Sequence, residues 1–189
     1  MTRRIPIIPT AIVLIAAAIM VRLGFWQLDR LAQKQDMLAR FTAAEADRTV
    51  HPWPRGGIAP LGYTRLQLEC RSAGPAQPEA GRSASGQSGW AQVVQCATPE
   101  GAKARIVLGW SSQPAPATWQ GGAVTGTFVP KGEDVLVYAD PPLAGLQPNA
   151  RPDPRDIPNN HLAYAVQWFL FAAIAVIIYA LALRKRLRG

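Results

Sequence analysis

The chain has 189 residues, 49% of them hydrophobic, and a formal net charge of +8. That charge would suit a nucleic-acid binder if it were spread evenly, but residues 29 to 160 hold thirteen basic against twelve acidic side chains. The excess sits at the two ends, on Arg3, Arg4 and Arg22 and on Arg184, Lys185, Arg186 and Arg188, so it marks topology and excludes a basic nucleic-acid domain.

Residues 1–4 form a short basic start, read as cytoplasmic. Residues 5–28 are apolar and read as a first transmembrane helix that continues as a helix to about residue 46. Ala16 and Ala18 offer a signal-peptidase-like site, but the apolar pattern runs unbroken through Leu28, Leu31 and Leu38, which favours an uncleaved anchor. Arg22, Trp26, Arg30 and Lys34 recur every four residues on one slowly drifting stripe where the helix leaves the bilayer. Two readings fit that stripe: an interfacial belt meeting lipid headgroups, or an anion site beside the membrane. The two prolines and two glycines of HPWPRGG, from His51, end the helical pattern.

Residues 47–140 read as a β-domain. YTRLQLEC alternates apolar and polar residues, and WAQVVQC, ARIVLGW, AVTGTFV and DVLVYA follow, giving five predicted strands. Residues 73–89, rich in Gly, Ser, Ala and Pro, read as a flexible exposed loop without chemistry. Cys70 and Cys96 flank it. A strand pairing that sets them opposite one another allows a disulfide; pairing carried to the loop's edge leaves them about 13 Å apart, too far to bridge. Both registers remain open at this level. Residues 141–158, with six prolines, read as an extended tether back to the membrane.

Residues 159–183 read as a second transmembrane helix. Leu162 to Leu183 carry no charge and as a helix would span roughly 33 Å. Pro158, Asn159 and Asn160 mark its start and place His161 in its first turn. The basic tail 184–189 then predicts cytoplasmic termini at both ends and a periplasmic central domain in a bacterial inner membrane. The fold class expected is α+β: two transmembrane helices flanking a small antiparallel β-sheet or partly closed β-barrel.

The sequence contains no C-x-x-C, C-x-x-C-H, H-E-x-x-H or G-x-x-x-x-G-K pattern, so no enzymatic activity is expected. His51 lies in a loop beside Pro52 and reads as solvated. His161 shares a predicted helix face with Tyr164, Ala165, Trp168, Ala172 and Ala175. An imidazole at the membrane edge, aromatic faces and nearby cations are the parts of a porphyrin site, in which His161 would ligate the metal. A polar helix start packed on its partner helix fits the same residues.

Both membrane ends resemble the Surfeit locus protein 1 family of haem-copper cytochrome oxidase assembly factors. The first anchor matches G-x-W-Q-x-x-R-x-x-x-K at Gly24, Trp26, Gln27, Arg30 and Lys34. The second matches N-x-H-L-x-Y-x-x-x-W-F at Asn159, His161, Leu162, Tyr164, Trp168 and Phe169. Gly109 and Trp110 resemble the family's central G-W step, although Val107, Leu108, Ser111 and Ser112 depart from its surroundings. The resemblance implies a non-enzymatic factor that binds haem a transiently and non-covalently, with His161 as the iron contact. Arg30 and Lys34 become candidates for its propionates or for oxidase contacts, and the helix-face reading adds Trp168, Tyr164, Trp26 and Arg22 to the site. It further implies cytochrome c oxidase subunit I, other assembly factors and membrane lipid as partners. The alternative is a haem-free membrane scaffold that docks and stabilises oxidase intermediates.

Overall fold

The computed structural model describes residues 6–54, 61–98, 103–131 and 134–188. The chain divides into two compact units, Met1–Met37 with Pro158–Gly189, and Leu38–Ile157.

The first unit is built from two helices, α1 (Ile7–Ala46), whose last turns pass into the second unit, and α2 (His161–Arg188). Both are long and apolar enough to cross a membrane. Their less exposed residues recur at alternating intervals of three and four. On α1 these are Thr10, Val13, Ala17, Met20, Gly24, Gln27, Leu31 and Lys34; on α2 they are His161, Ala165, Trp168, Ala172, Ala175 and Tyr179. A 3.5-residue repeat is the seam of a left-handed helix pair. Small side chains at Ala17, Gly24, Ala165 and Ala172 let the backbones approach, as membrane helices require when water cannot drive association. The clearest case is Gly24, where a Cβ would stand 2.6 Å from Phe169 Cε1. Phe25 stacks edge-on against the same ring, with centroids 5.3 Å apart. Thr10 Oγ1 and Tyr179 OH share a hydrogen bond farther along. Contacts of Thr10 with Tyr179, Gly24 with Phe169 and Gln27 with His161 run in opposite senses along the two helices, so the pair is antiparallel.

The second unit is a mixed sheet. Its strands are β1 (His51–Pro52), β2 (Arg65–Cys70), β3 (Ser72–Ala73), β4 (Gln77–Arg82), β5 (Ser88–Ala97), β6 (Lys103–Ser111), β7 (Gly122–Lys131) and β8 (Asp134–Ala139). The order is β1-β2-β7-β8-β6-β5-β3, with β4 pairing β5. Period-two patterning in β2 turns Leu66, Leu68 and Cys70 inward and leaves Gln67 and Glu69 outside. Those three join Val94, Ile106, Leu108, Val124, Phe128 and Val137 in one buried cluster. A smaller cluster, Ala91, Val93, Val107 and Leu136, comes from residues of opposite parity on the same central strands. In β5 paired with β6, Gln92 faces Gly109 and Val93 faces Val107, so Leu108 is an extra residue in β6.

The structure retains the α+β architecture and departs from the expected sheet in four ways. Pairing is not wholly antiparallel, because β6 runs parallel to β8 and β1 parallel to β2. The strand path is open and does not close as a barrel. Residues 73–89 are no loop: β4 pairs with β5 over six residues. An outer strand with one neighbour and partial exposure needs no apolar alternation, so Gly and Pro are tolerated there. Finally, β2 pairs with β7 and not with β5, so neither hairpin register considered for the cysteines applies. The chain bends after Cys70, β3 pairs with β5 as Ala73 opposite Cys96, and Cys70 and Cys96 form a disulfide with Cα atoms 5.6 Å apart.

Residues 141–158 also differ from a free tether. They fold back on the sheet, with Trp110 N donating to Gln147 O at 2.7 Å and Ala150 N to Arg82 O at 2.9 Å. A 3-10 turn at Pro154–Asp156, capped by the Asp153 side chain on Arg155 N, precedes α2. The HPWPRGG stretch lies partly outside the described residues.

Candidate functional site

The sequence places seven candidate residues on the two helices of the first unit. His161 opens α2 on the seam and is half-buried. Its Nδ1 lies 2.7 Å from Gln27 Oε1 on α1. An amide oxygen accepts, so the imidazole donates from Nδ1, which makes Nε2 the nitrogen left to carry a lone pair. A ring fixed in tautomer and orientation through its other nitrogen is the usual state of a metal-binding histidine. Gln27 has no role assigned from the sequence beyond its letter in the G-x-W-Q pattern. Its signal is positional: it lies three residues after Gly24, on the same seam.

Trp168 is a seam residue seven after His161, packed edge-on to Phe171 at 6.3 Å. Tyr164, one turn after His161, is 52% exposed and stands outside the seam. Lys34 is seven residues past Gln27 and half-buried, on the α1 seam. Arg22 and Trp26 flank Gly24 by two residues on either side, about 200° round the helix, and both are exposed. The four-residue stripe therefore winds from the outward face at Arg22 to the seam at Lys34. Within it the Arg30 guanidinium carbon lies 5.6 Å from the Trp26 ring centroid, a cation–π contact, and Arg30 Nη1 donates to Gln33 Oε1 at 2.9 Å. The structure thus joins Trp26 with Arg30 and sets His161 at the level of Gln27, the residue between them in the motif. Among the described residues no hydrogen bond or ion pair links His161 to Arg22, Arg30 or Lys34.

A single imidazole with Nε2 unengaged is the kind of donor that would hold a porphyrin iron. No group of three or more His, Cys, Asp or Glu side chains gathers among the described residues, so His161 would act as a single protein ligand. The close contact of Gly24 with Phe169 leaves no slot for a macrocycle at that point of the seam. A shallow groove beside Tyr164, Gln167 and Leu170 lies on the α2 surface and does not include His161.

Two antiparallel helices of membrane-spanning length, joined to a disulfide-linked mixed sheet, are consistent with a two-pass membrane protein that carries a β-domain. The SURF1 family model matches residues 14–173, a stretch that contains both anchor motifs and the whole sheet, and the chain belongs to the SURF1 family. That family is known as one of cytochrome oxidase assembly factors. No curated protein and no solved structure gives a significant match.

Proposed function

We propose that this SURF1-family chain is a non-enzymatic assembly factor that holds haem a through His161 Nε2 and assists its transfer to cytochrome c oxidase subunit I. The observation that carries the reading is the Nδ1 hydrogen bond to Gln27, which fixes the ring while leaving one nitrogen for a ligand. One strong ligand without covalent attachment suits a cargo that must leave again. Haem a supplies an iron that accepts the imidazole; the remaining contacts belong to the chain. Trp26, Tyr164 and Trp168 offer aromatic faces at this end of the helix pair, and Arg22, Arg30 and Lys34 offer cations for propionates.

The proposed location is the bacterial inner membrane, with both termini cytoplasmic and the sheet periplasmic. Two observations support this orientation: the basic residues cluster at the chain's ends, and a buried disulfide suits an oxidising compartment. The spectrum of protein purified from cells making haem a tests the reading. Wild type should carry bound haem and His161→Ala should lose it; equal haem in both removes the site. A haem-free scaffold is the second reading, favoured by the closed seam at Gly24. Co-purification with subunit I and never with haem would select it.

A further inference from the structure

Helix α2 carries a second face that the seam with α1 leaves uncovered. Asn160, Ala163, Gln167, Leu170, Ile174 and Ile177 recur at alternating intervals of three and four, about 150° round the helix from the His161 seam, and all six are exposed. The first four, with Tyr164 and Val166, line a shallow groove of about 520 Å3. An apolar stripe on a membrane helix needs no protein partner, because lipid tails cover it as well as another helix would. Gln167 is what sets this stripe apart.

Gln167 lies six residues past His161, about 9 Å farther along the axis, and five residues inside the uncharged run from Leu162 to Leu183. At that depth lipid offers its amide neither donor nor acceptor. The polar side chains on the α1 seam are matched, Gln27 with His161 and Thr10 with Tyr179. Among the described residues the Gln167 side chain makes no hydrogen bond, and its exposed position turns it away from α1.

The occupant that best complements this face is the same face. A carboxamide both donates and accepts, so Gln167 is its own partner. Two copies inserted in the same sense run their α2 helices parallel, and a two-fold axis along the helix direction brings each Gln167 to the depth of the other. A foreign helix would need a polar group placed at that same depth. No charge lies on the stripe from Asn160 to Ile177, so two copies approach it without repulsion. Counted in heptads, Gln167 and Ile174 occupy one core position, and Ala163, Leu170 and Ile177 the other. A β-branched residue at the first with Leu at the second favours a parallel pair, and a polar residue at the first fixes its register. Ala163, one turn before Gln167, lets the backbones close on the amides.

We propose that this face of α2 is a homodimer interface, in which α2 packs parallel to α2 of a second copy and the two Gln167 amides hydrogen-bond across the two-fold axis. The inference does not rest on haem binding and leaves the His161 seam untouched.

The test uses the full chain in density-matched detergent micelles, with self-association measured by sedimentation equilibrium. Wild type should show a monomer–dimer equilibrium. Gln167→Leu, which keeps the side chain's size and removes its amide, should weaken the dimer about tenfold, and Gln167→Asn should retain most of it. Oxidative cross-linking reads the face separately: Leu170→Cys, on the stripe, should give a disulfide-linked dimer, and Val176→Cys, exposed on another face of α2, should not. Protein that stays monomeric at every protein-to-detergent ratio, Gln167→Leu that dimerises as tightly as wild type, or cross-linking through Val176→Cys and not Leu170→Cys each overturns the proposal. So does a monomer that holds another membrane protein and releases it on Gln167→Leu, which assigns the face to a foreign helix.

Discussion

The Cys70–Cys96 cross-link ties β2 to β5, two strands separated by β7, β8 and β6 in the sheet order. Opening it should release the unfolded chain from a closed loop. For a separation of 26 residues, the loop-entropy relation gives about 3.5 kcal/mol near room temperature. Both cysteines are buried, at 1% and 2% exposure, so replacing them with alanine also removes two packed sulfurs. That adds on the order of 1 kcal/mol each. The expected ladder is thus oxidised wild type, then reduced wild type about 3.5 kcal/mol lower, then the Cys70→Ala and Cys96→Ala double variant about 5–6 kcal/mol lower. Against a typical total of about 5–15 kcal/mol, either step is large. Urea titration of the full chain in micelles, followed by tryptophan fluorescence, measures all three; Trp53, Trp90, Trp110 and Trp119 report from the sheet unit. Coincident midpoints for the oxidised and reduced protein, or two free thiols in unreduced denatured protein, would refute the reasoning.

Three further outcomes follow from named contacts. Gly24→Ala should destabilise the helix pair by about 1–3 kcal/mol, since the added methyl meets the Phe169 ring, and Phe169→Ala in the same chain should recover part of the loss; a double-mutant cycle by thermal melting reads this. If His161 holds haem as proposed, Gln27→Leu should lower haem affinity about 10- to 100-fold where Gln27→Glu, which still accepts from Nδ1, preserves most of it; a haem titration of each variant measures the difference. Burial, then the nearby Glu79 charge, raises the Tyr138 phenol above its ordinary value, with Arg105 opposing. A raised folded value means stability is fully present below the unfolded value of about 10 and declines as the pH climbs through the folded one. Tyr138→Phe should flatten part of that alkaline decline, read as the urea midpoint against pH.

What the sequence makes legible is whatever repeats locally. Alternation in YTRLQLEC is the face of β2, and an uncharged run bounded by Asn160 and Arg184 is α2. The hairpin strand β4 is invisible for a physical reason: an outer strand pairing with β5 through its backbone needs no apolar side chains, so QPEAGR looks like loop. The disulfide stays open in the sequence because its geometry depends on β2 choosing β7, a partner more than fifty residues away, over the nearer β5. Of the candidate site, His161, Trp168 and Lys34 lie on the seam, while Arg22 and Trp26 face outward. A four-residue spacing cannot separate those cases, because 400° of rotation drifts by 40° at each step.

The two anchor motifs explain one another through the seam. Gln27 follows Gly24 by three residues and His161 precedes Ala165 by four, so each polar residue occupies the next seam position beyond a small one. The small residues set how closely the helices approach, and that approach lets an amide reach an imidazole 134 residues away in sequence. Sliding either helix by one heptad, about 10 Å of rise, would keep an apolar seam but part the pair. Apolar packing along the seam is tolerant of such a slip, whereas a half-buried imidazole and amide that lose each other are not. The Gln27–His161 hydrogen bond therefore acts as a register pin for the helix pair as well as the orienting contact of the candidate ligand. Both roles would tie a glutamine in the first motif to a histidine in the second.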